Sequence, residues 1–481
     1  MKIFNYTFTL LLAALLITAC TDNFEEINEN PNSPENVEPQ FLLTNIISVS
    51  SDQNTYYQGF DQSNYFSQHV AAIDFGFLDR YIIGSNSTYW AVVNGLLTDI
   101  NSMKASPTSN EAYAAVGDIM RCFLFTQMTD IWNDVPYTEA GRLEEGIDKP
   151  KYDTQESIYT DPETGILAVL TRSANTLEST NQLINGDVMF NNDLDKWVRF
   201  ANSLRVRYLM RISKRLNDFS ELSSLANSGK LMESNADNAV LPYLASAPNQ
   251  FPFFLSSVGG LVEHVMSKTA DSVLSLWDDP RIAVLYQPVA AGLANDSVYY
   301  RGIQNGQTNE RVQQLGLGVN DLSVVGSIFR DVPDGADAQF MQYAEVQFAL
   351  AEAVERNYIA GNVQQYYENG VRASFEYYGV DVPEDYFSRD AVELNGTDNI
   401  TKIMTQKWLS LINIGHEAWF NIRRTGIPSL QAGPDAVNEG RYPVRYLYPE
   451  SEQATNTENY QEAVQRIGGD DINSKGWWER D

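Results

Sequence analysis

Apolar side chains recur at three- and four-residue steps along several stretches, the spacing that lines one face of an α-helix. Between Asn110 and Trp132 they are Tyr113, Val116, Met120, Phe123, Gln127 and Ile131, counting one amide on the same face. This predicted helix stops at Asn133-Asp134-Val135-Pro136, since proline disfavours helical geometry in the residue before it. Ile166, Leu170, Ala174 and Leu177 predict a second helix. Trp197, Phe200, Ala201, Leu204, Tyr208, Ile212 and Leu216 predict a third. Its other positions carry Arg199, Arg205, Arg207, Arg211, Lys214 and Arg215. An alanine-rich helix opens at Tyr343, turns at Ala360-Gly361-Asn362, and is followed by another from Val363 to about Tyr378, with Gly379 as its stop. A last long helix is expected from about Thr401 to Arg424, closed by Gly426 and Pro428. Residues 237–340 show no such period. They are rich in Pro, Gly, Asn and aromatics, with short apolar runs such as Val298-Tyr299-Tyr300, and predict irregular structure with a small hairpin. Long irregular segments are often functional, so ligand contacts are sought there.

The fold class that follows is mainly α, with tetratricopeptide-like helix pairs and a large irregular, aromatic-rich insertion. The period is too uneven for a regular solenoid. Charge then narrows the function. Across 481 residues, 33 Lys and Arg face 63 Asp and Glu, a formal charge of −30. Such a chain repels phosphate backbones and anionic lipid, so neither nucleic acid nor charge-driven membrane docking fits. The arginines of the third helix therefore read as partners for carboxylates of neighbouring segments, with an anion site as the rival. Two cysteines and three histidines leave no disulfide framework and no cysteine-rich zinc site.

Lys2, an apolar run from Phe8 to Ile17 and Thr18-Ala19-Cys20 read as a secretory leader, too short to span a bilayer comfortably. Ile17-Thr18-Ala19-Cys20 resembles a bacterial lipobox, with Cys20 as the lipidated residue; an ordinary leader ending by chance at a cysteine is the alternative. The expected organisation is a leader over 1–19, a lipidated acidic tether over 20–40 and one helical body over 41–481. The acidic residues behind Cys20 resemble the surface-export signal of Bacteroidetes lipoproteins. Cys122, flanked by Arg121 and Phe123, reads as a small core hydrophobe.

No catalytic signature stands out. There is no Gly-x-Ser-x-Gly elbow, no Walker-type loop, and His416-Glu417 lacks a second zinc histidine. Glu345 and Glu352 share a helix face and could pair as glycosidase carboxylates, but among packed alanines they read as braces between helices. No cofactor is expected. Asp331, Asp334 and Asp337 do not match a calcium-binding EF-hand loop, and a structural calcium held by scattered oxygens stays open. Aromatic side chains are abundant, and a flat ring stacks on a sugar or peptide while polar neighbours hold its edge. The candidate ligand contacts are Phe75, Phe77 and Tyr81 in one loop, Phe251, Phe253 and Phe254 in another, and Trp90 in a helical stretch.

Several segments, in order, carry a family resemblance. They begin with Cys20 and Phe24-Glu25-Glu26-Ile27-Asn28-Glu29-Asn30-Pro31-Asn32, and continue with Thr129-Asp130-Ile131-Trp132-Asn133-Asp134-Val135-Pro136-Tyr137 and Ala201-Asn202-Ser203-Leu204-Arg205. Asp279-Pro280-Arg281, Lys407-Trp408, Trp419 to Gly426, Tyr446-Leu447-Tyr448-Pro449-Glu450 and Trp477-Trp478 complete the set. With these the chain resembles the SusD/RagB nutrient-binding outer-membrane lipoproteins, in the SusD-like branch. The resemblance implies a tetratricopeptide-like body, lipid-anchored in the outer membrane and facing the cell exterior. It implies a non-enzymatic protein that captures a glycan or peptide and hands it to a SusC-type TonB-dependent transporter. A surface glycoside hydrolase or peptidase, or a helical scaffold without a small ligand, are the competing readings.

Overall fold

The computed structural model describes residues 37–258 and 264–480. The leader, Cys20 and most of the tether lie outside the described residues. Helix α1 (Pro39–Asp52) begins inside the stretch expected to be tether, with a proline in its first turn where no backbone donor is needed. It runs directly into a π-helical segment, Gln53–Ser63, which the sequence period does not announce.

The body is then built from α2 (Ser87–Ala105), α3 (Glu111–Trp132), α4 (Ile166–Ser179), α5 (Leu194–Arg211) and α6 (Ser220–Ala226). After the insertion come α7 (Tyr343–Glu355), α8 (Val363–Tyr377), α9 (Asn399–Ser410), α10 (Glu417–Thr425) and α11 (Thr457–Ile467). Asn110 caps α3 by accepting from the Ala112 and Tyr113 N–H groups, and Asn362 caps α8 from Gln365. The pairs α3/α4, α4/α5 and α7/α8 pack along their lengths, as the apolar periods require. At the α7/α8 crossing a side chain on Gly370 would come within 2.9 Å of the Phe348 ring, so glycine sets the approach of the two helices. Cys122 is fully buried on α3, and desolvation pushes its thiol pKa far up. Among the described residues no helix is long and apolar enough to cross a membrane.

Two expectations need correction. The long helix expected over Thr401 to Arg424 is two helices, α9 and α10. Between them Asn413 and Gly415 take left-handed conformations, at φ 64° and 47°, and the Gly415 N–H donates to the Asn54 carbonyl at 3.0 Å. A side chain on Gly415 would strike the Asn54 amide, so the break is fixed by the π segment packed against it. Among the described residues of 237–340 no hairpin forms, and the apolar run Val298-Tyr299-Tyr300 is coil. The insertion is instead closed by its own ends: β2 (Ala239–Pro242) pairs antiparallel with β4 (Asp337–Met341), Ala239 opposite Met341. Its interior is tied to the N-terminal part by β1 (Val70–Ala72) pairing with β3 (His264–Met266).

The arginines of α5 meet carboxylates. Arg207 forks onto Glu345 of α7 at 2.8 and 2.5 Å, and Arg211 bridges Asp130 of α3 and Glu417 of α10. Arg205 pairs with Glu221 and Arg199 with Glu233. Arg215 donates instead to the Trp477 and Arg480 carbonyls. Glu352 accepts both terminal nitrogens of Arg424, at 2.7 and 2.5 Å, plus Arg356 at 2.7 Å. Both glutamates are braces, as expected. Burial alone would raise the Glu352 pKa, but Arg424 foremost, with Arg356 and Lys407, holds it down to about 2.

Removing one partner of such a pair leaves a buried charge alone. Glu352→Ala is expected to destabilise the protein by about 3–5 kcal/mol in urea unfolding, whereas replacing Glu352 and Arg424 together by leucines recovers most of that loss. The folded pKa of Glu352 lies below the unfolded value, so its stabilisation is present above roughly pH 4.5 and fades toward pH 2.

Candidate ligand site on three converging loops

The candidate aromatics separate sharply. Phe75 and Phe77 stand 70% and 57% exposed, whereas Tyr81 and Trp90 are at 3% and 5%. Trp90 packs edge-on against Trp132, with ring centroids 5.1 Å apart. Tyr81 meets the edge of Tyr442 at 6.0 Å. Phe251 and Phe253 are core: Phe253 lies 4.1 Å from Phe60, and Phe251 packs between Phe60, Tyr243 and Phe329. Phe254 is half-buried against the same cluster. As the chain stands, Tyr81, Trp90, Phe251 and Phe253 offer no open ring face. Tyr81, Phe251 and Phe253 lie in stretches that read as loops and Trp90 in one that reads as helical; in all four, burying a large ring yields more than leaving it in water. Of these candidates, Phe75 and Phe77 are the ones with open rings.

The loop that carries them is tied down by hydrogen bonds. Phe75 is left-handed at φ 50°, costly for a non-glycine residue. Its N–H donates to Asp74 Oδ1 at 2.9 Å, and its carbonyl accepts from Phe77 N–H at 2.7 Å. The Phe77 carbonyl in turn accepts from Ile82 N–H at 2.9 Å. Beneath the turn, Asp79 is 3% exposed. Its carboxylate accepts from Ala72 N–H at 3.2 Å, Gly306 N–H at 2.9 Å and the Asn305 amide at 2.5 Å. Among the described residues no cation faces it, so burial pushes its pKa up to about 6 against the pull of those donors.

A third loop completes the cluster. Arg311 forks onto Asp435 with two bonds of 2.7 Å, and Thr308 N–H donates to the same carboxylate at 3.0 Å. Those bonds, Arg311's first, hold the Asp435 pKa well below the usual carboxylate range. Arg80 donates to the Asp435 carbonyl, and Val437 N–H to the Arg80 carbonyl. Gly306 and Gly433 cross so closely that a side chain on either would strike the other's backbone. Asn309 donates to Asp74 beside Phe75.

The result is a surface where Phe75, Phe77, Ile82 and Val437 show apolar area, rimmed by Asp74, Asn309, Arg311 and Asp435. Open rings edged by fixed donors and acceptors can stack on a flat apolar face and hold hydroxyls at its rim. Sequence reading found the two rings and missed the rim. Asn309 and Arg311 lie at the start of a short helix, Asn309–Gln314, capped by Thr308, and that Thr-x-x-Arg start is their only local signal. Asp435 is 124 residues from its partner Arg311 and carries none. Among the described residues, no three His, Cys, Asp or Glu side chains converge as a metal site. Asp331 accepts from Gln287 and Asp337 from Tyr377.

A family model described as starch-binding, associating with the outer membrane, matches residues 31–449. The chain belongs to the SusD-like family. A SusD homologue from Bacteroides fragilis is 26% identical, with a TM-score of 0.80 over 92% of this chain and 99% of its own. A chitin-binding protein, also 26% identical, gives 0.79 over 92% of this chain and all of its own. A chitin-binding SusD homologue from Flavobacterium johnsoniae, at 22% identity, gives 0.76 over 92% and 98%, a likeness that shows the fold alone. No curated protein sequence matches the chain. The SusD-like architecture agrees with the helix pairs described above, and the three-loop cluster sits outside them, where it can vary without disturbing the pairing.

The raised Asp79 pKa makes the loop cluster pH-sensitive. Its folded pKa, about 6, exceeds the unfolded value, so the protonated form is favoured by folding and stability from this group declines as pH rises through 6. Relative to Asp79→Asn, the wild-type chain is expected to gain about 2 kcal/mol between pH 7 and pH 4 in paired denaturant melts. A difference that stays flat with pH would show that Asp79 does not titrate there.

Proposed function

We propose that this SusD-like chain is a nutrient-binding lipoprotein of the cell surface, held in the outer membrane through Cys20. In this reading it captures a glycan on the Phe75–Phe77 surface and passes it to a SusC-type TonB-dependent transporter. The carrying observation is the pair of open rings on a strained, multiply bonded loop, edged by Asp74, Asn309 and Arg311. A glycan is favoured over a peptide by the starch-binding description of the family and the chitin-binding protein at 26% identity. The action is binding without bond cleavage. Glu345 and Glu352, the carboxylates that might have invited a hydrolytic reading, are each locked onto buried arginines. Lipidation would confine the protein near its transporter, so the effective concentration of one over the other is high and modest direct affinity suffices.

The decisive experiment is calorimetric titration of the mature chain with starch- and chitin-derived oligosaccharides, followed by chromatography of the sugars. Binding without new products is expected. Phe75→Ala with Phe77→Ala should weaken it at least tenfold, about 1.4 kcal/mol, at unchanged thermal stability. Shortened sugars would establish an enzyme, and full affinity in the double variant would dismiss this surface.

A further inference from the structure

A second concavity lies on the helical side, and none of the loop-site residues lines it. It opens between the turn that leads into α6 and the turn that joins α7 to α8, with a volume of about 420 Å³. The concavity is shallow and wide open to solvent, with room for a sugar to lie along it rather than be enclosed.

Phe219 and Tyr358 line it as a stacked pair. Their rings stack at 4.0 Å with planes only 6° apart, closer than any other ring pair among the described residues. Both are half-buried, so part of each ring faces the groove. The backbone fixes them from two directions. Phe219 is the N-cap residue of α6, and its carbonyl accepts from Ser223 N–H at 2.9 Å. Asn357 turns left-handed at φ 60°, which lets Tyr358 N–H reach back to the Ala353 carbonyl at 2.8 Å.

Solvent-facing polar groups stand around the pair without side-chain partners among the described residues. The side-chain amides of Asn217 and Asn357, the Ser223 hydroxyl and the Tyr358 hydroxyl line the groove, and none bonds to another described residue. Asp218, which also lines it, is occupied by the Ser220 N–H and hydroxyl. No arginine or lysine lines it, which argues against an anionic ligand. Amides and hydroxyls that can both donate and accept, set beside the open side of a stacked aromatic pair, match a neutral polyhydroxylated ring.

We propose that this groove is a second, weaker saccharide site. It rests on the glycan reading for the class of ligand, and on the groove itself for the place. Its role would be to hold a distant part of a long chain, raising avidity where both sites can be engaged at once.

The test uses the full mature chain, isotope-labelled, titrated with chitohexaose, maltohexaose and cellohexaose to roughly 10 mM, far enough to see millimolar binding. The Asn217 and Asn357 side-chain amide resonances are the readout. Saturable shifts with at least one sugar are expected in the wild type and in Phe75→Ala/Phe77→Ala. Phe219→Leu should weaken them at least tenfold. Asn357→Gly, which keeps the left-handed turn, should weaken the Asn217 shift similarly at unchanged thermal midpoint, and Phe219→Leu is scored only where its spectrum away from the groove shows the fold retained. Amides that stay still while the loop site binds sugar overturn the groove and leave the loop reading intact. Groove shifts with total affinity indifferent to the Phe75 and Phe77 changes support the groove and overturn the loop reading.

Discussion

The fold depends on a chain of buried charges that runs through the helices. Arg207 and Arg211, one turn apart on α5, reach Glu345 on α7, Asp130 on α3 and Glu417 on α10. From there Arg423 of α10 bonds to the Asp130 carbonyl and to Glu479, while Arg424 locks Glu352 of α7. Asp130 also accepts from Tyr159 and Trp478, so even the final residues of the described chain are fastened to this centre. Desolvating so many ions costs about as much as their attraction returns, so such pairs are poor net stabilisers. They are strong constraints. A helix slipped by one residue would leave several charges buried and unmatched at once, and only the native register avoids that.

Lys407 shows where the constraint stops. It is buried on α9, close enough to Glu345 and Glu352 to feel them, but each already has an arginine. Burial therefore prevails and draws the ammonium pKa down to about 8, against the pull of the two glutamates. The buried carboxylate under the loop site is held differently from those of the helical body. In the body, arginines from other helices neutralise them; under the loop site, Asp79 is held by neutral donors alone. The first arrangement fixes long elements against each other. The second fastens short irregular segments whose backbone N–H groups have no helix or sheet to satisfy them.

Sequence legibility follows the same division. Helices α3, α4, α5, α7 and α8 were readable because each buries one face against a neighbour, and burial imposes the 3.6-residue period. The basic side of α5 could be matched to carboxylates because nothing else in so acidic a chain could receive it. The π segment and the break between α9 and α10 were not readable. Each is explained by the other, through Asn54 and Gly415, far apart in sequence. Loop aromatics were half legible. The run Gln250-Phe251-Pro252-Phe253-Phe254 looks like a surface loop, yet Phe60 and Phe329 come from elsewhere to enclose it. By contrast Asp74-Phe75-Gly76-Phe77 has no apolar partner waiting, and the rings stay outside.

That difference bears on why Phe75 and Phe77 are there at all. A left-handed phenylalanine costs of order 1 kcal/mol or more in backbone strain, and an exposed ring returns little of it through packing. The surrounding bonds do not require aromatic side chains. Asp74, Asp79 and Asp435 hold the backbone of the three loops through carboxylates, and the close approach of Gly306 to Gly433 needs only the absence of side chains there. Smaller or polar residues at positions 75 and 77 would keep every one of those contacts and lower the apolar area in water. Folding alone therefore gives no reason for the two rings. On the reading proposed above, their justification is a ligand that meets them from outside the chain, flat on one face and hydroxylated or amidated at its edge.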